Sequence, residues 1–207
     1  MRNKLKFFLA LLVSFLPFSV VRVFLYNTLF SFEISNSTIG WLTILHVQKF
    51  FMKNGKIGSF NFFTGPYSVV LESQNRVGSF NYIRCGSWAV NFKQISQLCL
   101  KKEAKIENQH YFDVFGTITI GRQSIIAGIR SQFWTHGSFS DEVNIVIGDN
   151  CYIGSGVKFT PNSEISKDSV CAMGSVVSKR FKEEAVVIAG VPAKVIKHNV
   201  DWRKEWK

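Results

Sequence analysis

The residue with the clearest capacity for chemistry is His136, in the run Gln132-Phe133-Trp134-Thr135-His136-Gly137. It stands at the root of a polar stretch, Ser138 to Val146, that contains Asp141, Glu142 and Asn144. A neutral imidazole takes up a proton near neutral pH, so a histidine held at the edge of a rigid element is suited to general-base work. Such a base needs something to orient its ring, and Asp141, Glu142 or a backbone carbonyl could do so. His110, in Gln109-His110-Tyr111, is a second candidate, whereas His46 and His198 have no comparable setting.

The elements that must hold His136 are legible from a six-residue period. From Ile147 the sequence reads Ile147-Gly148-Asp149-Asn150-Cys151-Tyr152, then Ile153-Gly154-Ser155-Gly156-Val157-Lys158, with further hexads opening at Phe159, Ile165, Cys171 and Val177. A helix would space its apolar residues at three and four, and a plain strand would alternate. A buried-type residue every sixth position, with small residues at the second and fifth, fits a triangular coil. Each hexad is one short strand and one tight corner, and three hexads close a turn whose core is buried by its neighbours. The same phase runs upstream through Val114, Ile120-Gly121 and Ile126-Ala127. It continues, less regularly and richer in Phe, through Ile39-Gly40, Ile57-Gly58, Phe63-Thr64, Val69, Val77-Gly78 and Ile83. Breaks are expected near 46–56, 74–76 and 91–113, with Gln94 to Gln109 as a protruding loop or outer strand pair. The main interruption follows His136. A segment ejected from a solenoid adds no stacked core and is where function tends to sit.

Composition sets the outer bounds. The chain has 207 residues, 46% of them hydrophobic, and a net charge of +11, which fits one domain with appendages. Its basic residues are scattered among acids and no nucleic-acid module is visible, so a membrane surface or an anionic small molecule explains the charge better than nucleic acid. Cys85, Cys99, Cys151 and Cys171 show neither metal-ligand nor disulfide spacing. Cys151 and Cys171 fall on inward positions of the repeat, as small buried hydrophobes of a reducing, cytoplasmic compartment. At the N-terminus a basic start leads into the apolar run Phe7 to Phe30, broken by Pro17 and Arg22. Two short amphipathic helices meeting near Pro17 and capping the first coil, or meeting another subunit, are the preferred reading. An interfacial helix on the cytoplasmic membrane through residues 5–30, or a true span, are the alternatives. The expected organisation is a helical segment over 1–33, a coil domain over 34–197 and a basic tail over 198–207.

The hexads, the loop after Trp134-Thr135-His136 and the ending Ile188-Ala189-Gly190-Val191-Pro192-Ala193-Lys194-Val195-Ile196 together resemble the left-handed β-helix acyltransferases of the hexapeptide-repeat family. Galactoside acetyltransferase and the capsular and lipopolysaccharide O-acetyltransferases are the types most similar. The strong match covers Val114 to Lys197. The resemblance implies a mainly β fold, a left-handed parallel β-helix with an ejected active-site loop. It implies an acetyl-coenzyme A donor, a homotrimer with active sites between subunits, and His136 as general base. It places the thioester at Gly154 and Ser155 beside Tyr152, the pantetheine arm at Met173 and Gly174, further contacts at Ser178 and Lys179, and the nucleotide phosphates near Lys194. Met173 departs from the small Ala usual in the family. Trp134, Asp141 and Glu142 fall where an acceptor would lie.

The implied reaction is acetyl transfer to a hydroxyl of a sugar or surface polysaccharide precursor, such as a lipid-linked glycan, with no metal required. N-acetylation of a nucleotide-linked amino sugar is the near rival. A zinc-dependent γ-type carbonic anhydrase on the same fold would need three converging histidines. A non-catalytic β-helix scaffold would need neither the loop histidine nor a basic cleft.

Overall fold

The inward residues of successive coils lie directly over one another. In the computed structural model, which describes residues 2–137 and 143–205, one column runs Ile34, Met52, Leu71, Leu100, Ile120, Ile147, Ile165 and Phe181. A second runs Ile39, Ile57, Val77, Ile106, Ile126, Ile153, Cys171 and Ile188. A third runs Leu45, Phe63, Ile83, Phe112, Phe133, Phe159 and Val177. Every member of these columns is at most 5% exposed. Each column is the inner side of a parallel sheet, and the three sheets form the faces of a triangular prism, a left-handed β-helix of about eight coils. Fully burying one such aliphatic or aromatic side chain stabilises by about 1.5–3 kcal/mol. On the third face the rings of Phe112, Phe133 and Phe159 stack nearly parallel, 4.4 and 4.9 Å apart.

The corners are closed by small or polar residues, for a reason specific to each. At the corner before the second face, a Cβ on Gly121 would come within 2.3 Å of the Gly148 backbone. Glycine there is a demand of close coil spacing. At the corner between the second and third faces, a buried polar column replaces the carbon core. Asn61 donates to the Gly58 and Gly78 carbonyls, Asn81 to the Glu107 carbonyl, and the Ser131 hydroxyl to the Gly154 carbonyl. His110 belongs to this column. Its Nδ1 accepts the Ser131 N–H at 3.1 Å and it is 1% exposed. The sequence reading of His110 as a possible base therefore meets a histidine closed off within a corner.

The early coils are more regular than the sequence pattern implies. Lys49–Lys53, Lys56–Ile57, Arg76–Val77, Gln97–Leu100, Lys105–Asn108 and Tyr111–Asp113 are all coil strands in register with their neighbours. The expected breaks at 46–56 and 74–76, and the protruding Gln94 to Gln109, are therefore corrected. Their corners carry polar residues in the left-handed region, among them Asn54, Gln74, Glu103 and Gln109, so the usual small residues are absent and the period is blurred. Among the described residues two corners carry long excursions. One holds the 3-10 turn Ser87–Asn91, and the other follows Trp134. Both leave from the corner between the third and first faces.

The first coil is capped by α1 (Arg2–Ser14) and α2 (Ser19–Phe30). Arg22, which a spanning helix would have to carry into the bilayer, is 4% exposed. Its guanidinium donates to the Ile39 carbonyl at 2.6 and 3.1 Å and to the Leu16 carbonyl. Tyr26 is fully buried and donates to the Thr43 carbonyl at 3.0 Å. Among the described residues no helix is long and apolar enough to cross a membrane. At the other end the Val187–Gly190 and Ala193–Lys197 strands form an antiparallel hairpin on the second face. Beyond it α3 (Trp202–Glu205) folds back, the Trp202 indole donating to the Asn150 carbonyl at 2.8 Å. The basic tail expected over 198–207 is thus partly docked.

Burial lowers the His110 pKa to about 4, against an ordinary value of about 6.5. Between these values the unfolded chain binds the proton and the folded chain does not. Stability is therefore complete above about pH 6.5 and falls toward pH 4, by about 3 kcal/mol for this one group. His110→Asn should flatten that part of the stability profile, as read by urea denaturation at stepped pH.

Candidate active site

Coil stacking assembles a histidine–carboxylate pair from residues far apart in sequence. Asp113 ends the strand Tyr111–Asp113, and one coil later Trp134 lies beside it in register. The chain then leaves the coil, and Thr135 pins the point of departure. Its buried hydroxyl donates to the Asp113 carbonyl at 2.6 Å and accepts the Gly116 N–H at 2.8 Å. The next residue, His136, brings its Nδ1 onto the Asp113 carboxylate. The carboxylate side chain is 6% exposed and the imidazole 39%, so the acid is covered while the ring reaches the surface. Burial pushes the Asp113 carboxyl above the usual carboxylate range, against the pull of His136, Arg84 and the Phe115 N–H. An imidazole engaged through Nδ1 presents Nε2 outward, the arrangement of an oriented base.

Two indoles frame the ring. Trp88, from the Ser87–Asn91 turn, stands edge-on to His136 at 5.7 Å and packs on Phe115 at 4.9 Å. Trp134 lies 5.9 Å from His136. The two excursions thus converge: one supplies the imidazole, the other a wall beside it. Asp141 and Glu142 lie outside the described residues.

The residues expected to hold the donor fall in three places. Gly154, Ser155, Met173 and Gly174 share the corner between the second and third faces. There the Ser155 carbonyl accepts the Gly174 N–H at 2.9 Å, and the Ser155 hydroxyl accepts that of Ile129 at 3.3 Å. The Gly154 N–H is already bonded to the Cys171 carbonyl at 2.9 Å. Gly174 adopts φ +72°, with open space where a Cβ would sit. Met173 is 75% exposed and, with exposed Ile129 and Val191, gives this edge an apolar shoulder. Ser178 and Lys179 follow the strand Val176–Val177 on the other corner, the one His136 occupies, with the Lys179 ammonium over the Phe181 ring. Tyr152 and Lys194 lie on the second face, Tyr152 packed against Trp202 at 5.4 Å. The basic residues of the last coils are likewise spread round the prism, and Lys182 pairs with Glu164. Within one chain, His136 and the Ser155–Gly174 corner stand at opposite edges of the third face. They are separated by a strand of two or three residues, about 7–10 Å of extended chain.

No family model matches the chain. A candidate acetyltransferase of Saccharomyces cerevisiae is 51% identical over 53 residues, 26% of either chain. The bifunctional protein GlmU of Baumannia cicadellinicola is 25% identical over 169 residues, 72% of this chain and 35% of that one. The chain thus matches between a quarter and about a third of the length of these curated relatives. Among solved structures, the polysialic acid O-acetyltransferase OatWY superposes with a TM-score of 0.54 at 21% identity, covering 83% of this chain and 86% of that one. The fold is that of the hexapeptide-repeat acyltransferases.

Sequence reasoning singles out His136, and the structure sets beside it Asp113 and Trp88, which the sequence reading does not name. Asp113 carries a faint signal: it is an acid at the end of a coil strand, one coil before the loop. Trp88 carries none, because its excursion was placed several residues too late. Among the described residues no group of three or more His, Cys, Asp or Glu could hold a metal ion. Thr135→Val should cost about 1–3 kcal/mol, because it leaves the Asp113 carbonyl and the Gly116 N–H without their buried partner. Chemical denaturation measures this directly.

Proposed function

We propose that this protein transfers an acetyl group from acetyl-coenzyme A to a hydroxyl of a sugar or surface polysaccharide precursor. The observation that carries the reading is the His136–Asp113 pair, half-exposed at the corner of a hexapeptide-repeat prism and walled by two indoles. The acetyltransferase among its sequence relatives and the O-acetyltransferase that shares its fold support the reaction class.

In this mechanism Nε2 of His136 takes the proton of the acceptor hydroxyl as its oxygen bonds to the thioester carbonyl carbon. Asp113 holds the ring by Nδ1 and stabilises the imidazolium that forms. Collapse of the tetrahedral adduct breaks the C–S bond, and the imidazolium returns its proton to the departing sulfur. The thioester is already activated, so the protein's contribution is mainly position and charge. Because the Gly154 amide is spent within the coil, the Ser155 amide is the donor of that pair offered to the developing oxyanion.

The division of residues between two edges of the third face favours a site completed by a second copy of the chain. His136 of one copy would face the Ser155–Gly174 corner of the next, in a homotrimer. The apolar shoulder of Ile129, Met173 and Val191 would take the pantetheine arm. The outer faces of the helical cap expose Leu5, Phe8, Leu12, Phe15, Phe18 and Phe24 beside Lys4 and Lys6. This apolar and basic surface suits contact with an anionic membrane that displays a lipid-linked acceptor.

His136→Ala should lower acetyl transfer roughly 10²–10⁴-fold while leaving the protein folded, and near-normal turnover would reject the base assignment. The shared site has its own test. His136→Ala and Met173→Glu are each expected to be inactive, the second by placing an anion where the polyanionic donor lies. Refolded together they should recover measurable transfer; no recovery in mixed oligomers would place the whole site in one chain.

A further inference from the structure

We propose that the groove beside the His136–Asp113 pair is the acceptor site, and that it selects an anionic saccharide through Arg84. The proposal rests on the acetyltransferase reading and names its substrate class. The groove has a volume of about 600 Å³ and lies along the third face between the cap and the strand that carries Arg84, one strand short of Asp113, lined in part by Lys6, His46, Thr64, Tyr82, Arg84 and Ser87. Its position follows from register. His46, Thr64, Arg84, Asp113 and Trp134 occupy the same place on successive strands. Arg84 is therefore one strand spacing, about 4.8 Å, from the acid that orients the base.

The groove carries the two features a sugar acid needs. One is a cation. Arg84 is exposed, and among the described residues no carboxylate lies within ion-pair distance of its guanidinium. Asp113, its nearest acid along the register, is engaged by His136. A guanidinium presents a planar fork matched to carboxylate and phosphate oxygens, and Lys6 adds a second positive charge from the cap. The other feature is a track of rings on the same face, which meets the groove at Tyr82. Phe62, Tyr82 and Tyr111 stand on successive strands with centroids 6.1 and 5.8 Å apart, Tyr111 meets Trp134 at 4.7 Å, and Trp134 meets His136. Phe62 and Tyr82 are 40% and 42% exposed. Aromatic faces present flat apolar area with little entropy to lose, which suits the C–H faces of a pyranose. A track that ends at the base would lead an extended saccharide, residue by residue, to the reacting hydroxyl.

The test is calorimetric binding to the full-length protein and does not depend on turnover. Three probes are used: a glucuronate-containing oligosaccharide, its carboxyl-reduced neutral counterpart, and a phosphorylated oligosaccharide of equal length. The acidic probes, or one of them, should bind roughly 10–10²-fold more tightly than the neutral one, as a charge-assisted hydrogen bond predicts. Arg84→Gln should abolish that preference without weakening the neutral probe, Arg84→Lys should restore part of it, and circular dichroism confirms folding. Equal affinity for acidic and neutral probes, an acid preference unchanged in Arg84→Gln, or no binding because a second copy covers the face would each overturn the proposal. His136→Ala should bind all probes as the parent does. A protein that binds acidic saccharide through Arg84 but shows no transfer would retain this site and sink only the acetyl-transfer reading.

Discussion

Everything in this molecule depends on coil-on-coil register. Three columns of buried side chains fix each strand above its predecessor, and the backbone of every strand inside the stack is hydrogen-bonded on both sides by its neighbours. A slip by one residue would turn a column outward and bring the polar faces in. A single surplus residue is taken up as a bulge near the end of the strand Ile125–Ile129, but longer surpluses are expelled at a corner. Both excursions obey this rule, and both leave from the same corner. That is why a turn near residue 88 and a loop near residue 136 meet although they are widely separated in the chain. The site is a by-product of where the lattice of coils permits insertion.

The same constraint explains what could be read from the sequence. From Ile147 onward the corners use Gly, Ser, Cys and Ala, so period and composition agree and the hexads are plain. In the first half, Asn61, Asn81 and His110 close one corner by donating or accepting hydrogen bonds across coils. The expected breaks fall instead where Asn54, Gln74 and Glu103 turn corners in the left-handed region, residues that a pattern expecting small side chains does not count as corners. His136 was legible because the phase fails just after it. Asp113 was not, since its partnership is a relation between coils and not between neighbours in the chain. Trp88 was missed because its excursion lies among apolar residues that resemble core.

Burial does opposite things to the two histidines that could do chemistry. His110 is enclosed at a corner, held neutral by desolvation and bonded to Ser131; it is a hydrogen-bonding element of the coil. His136 stands half out of the prism, and its desolvated partner is the acid. A carboxylate with little water around it gains from a nearby imidazolium far more than an exposed one would, because the effective dielectric is lower. Trp88 and Trp134 stand against the ring of His136 itself.

An open-ended solenoid leaves unpaired strand edges at both ends, and such edges invite aggregation. Here the two ends are treated differently, with consequences for the site. At the late end, a hairpin and α3 return onto the second face and cover Tyr152, which leaves the third face free. At the early end, Arg22 and Tyr26 bond to the carbonyls of the first full coil, so the helical cap is a fixed part of the prism. α1 is tied to the same end, the Tyr26 hydroxyl lying 3.2 Å from the Ala10 carbonyl and the Leu42 N–H donating to the Ser14 carbonyl at 2.9 Å. Lys6 is thereby held at the cap end of the groove, whose far end, at Arg84, lies one strand short of Asp113. Any surface that α1 and α2 contact is brought into a constant relation with the face that carries His136.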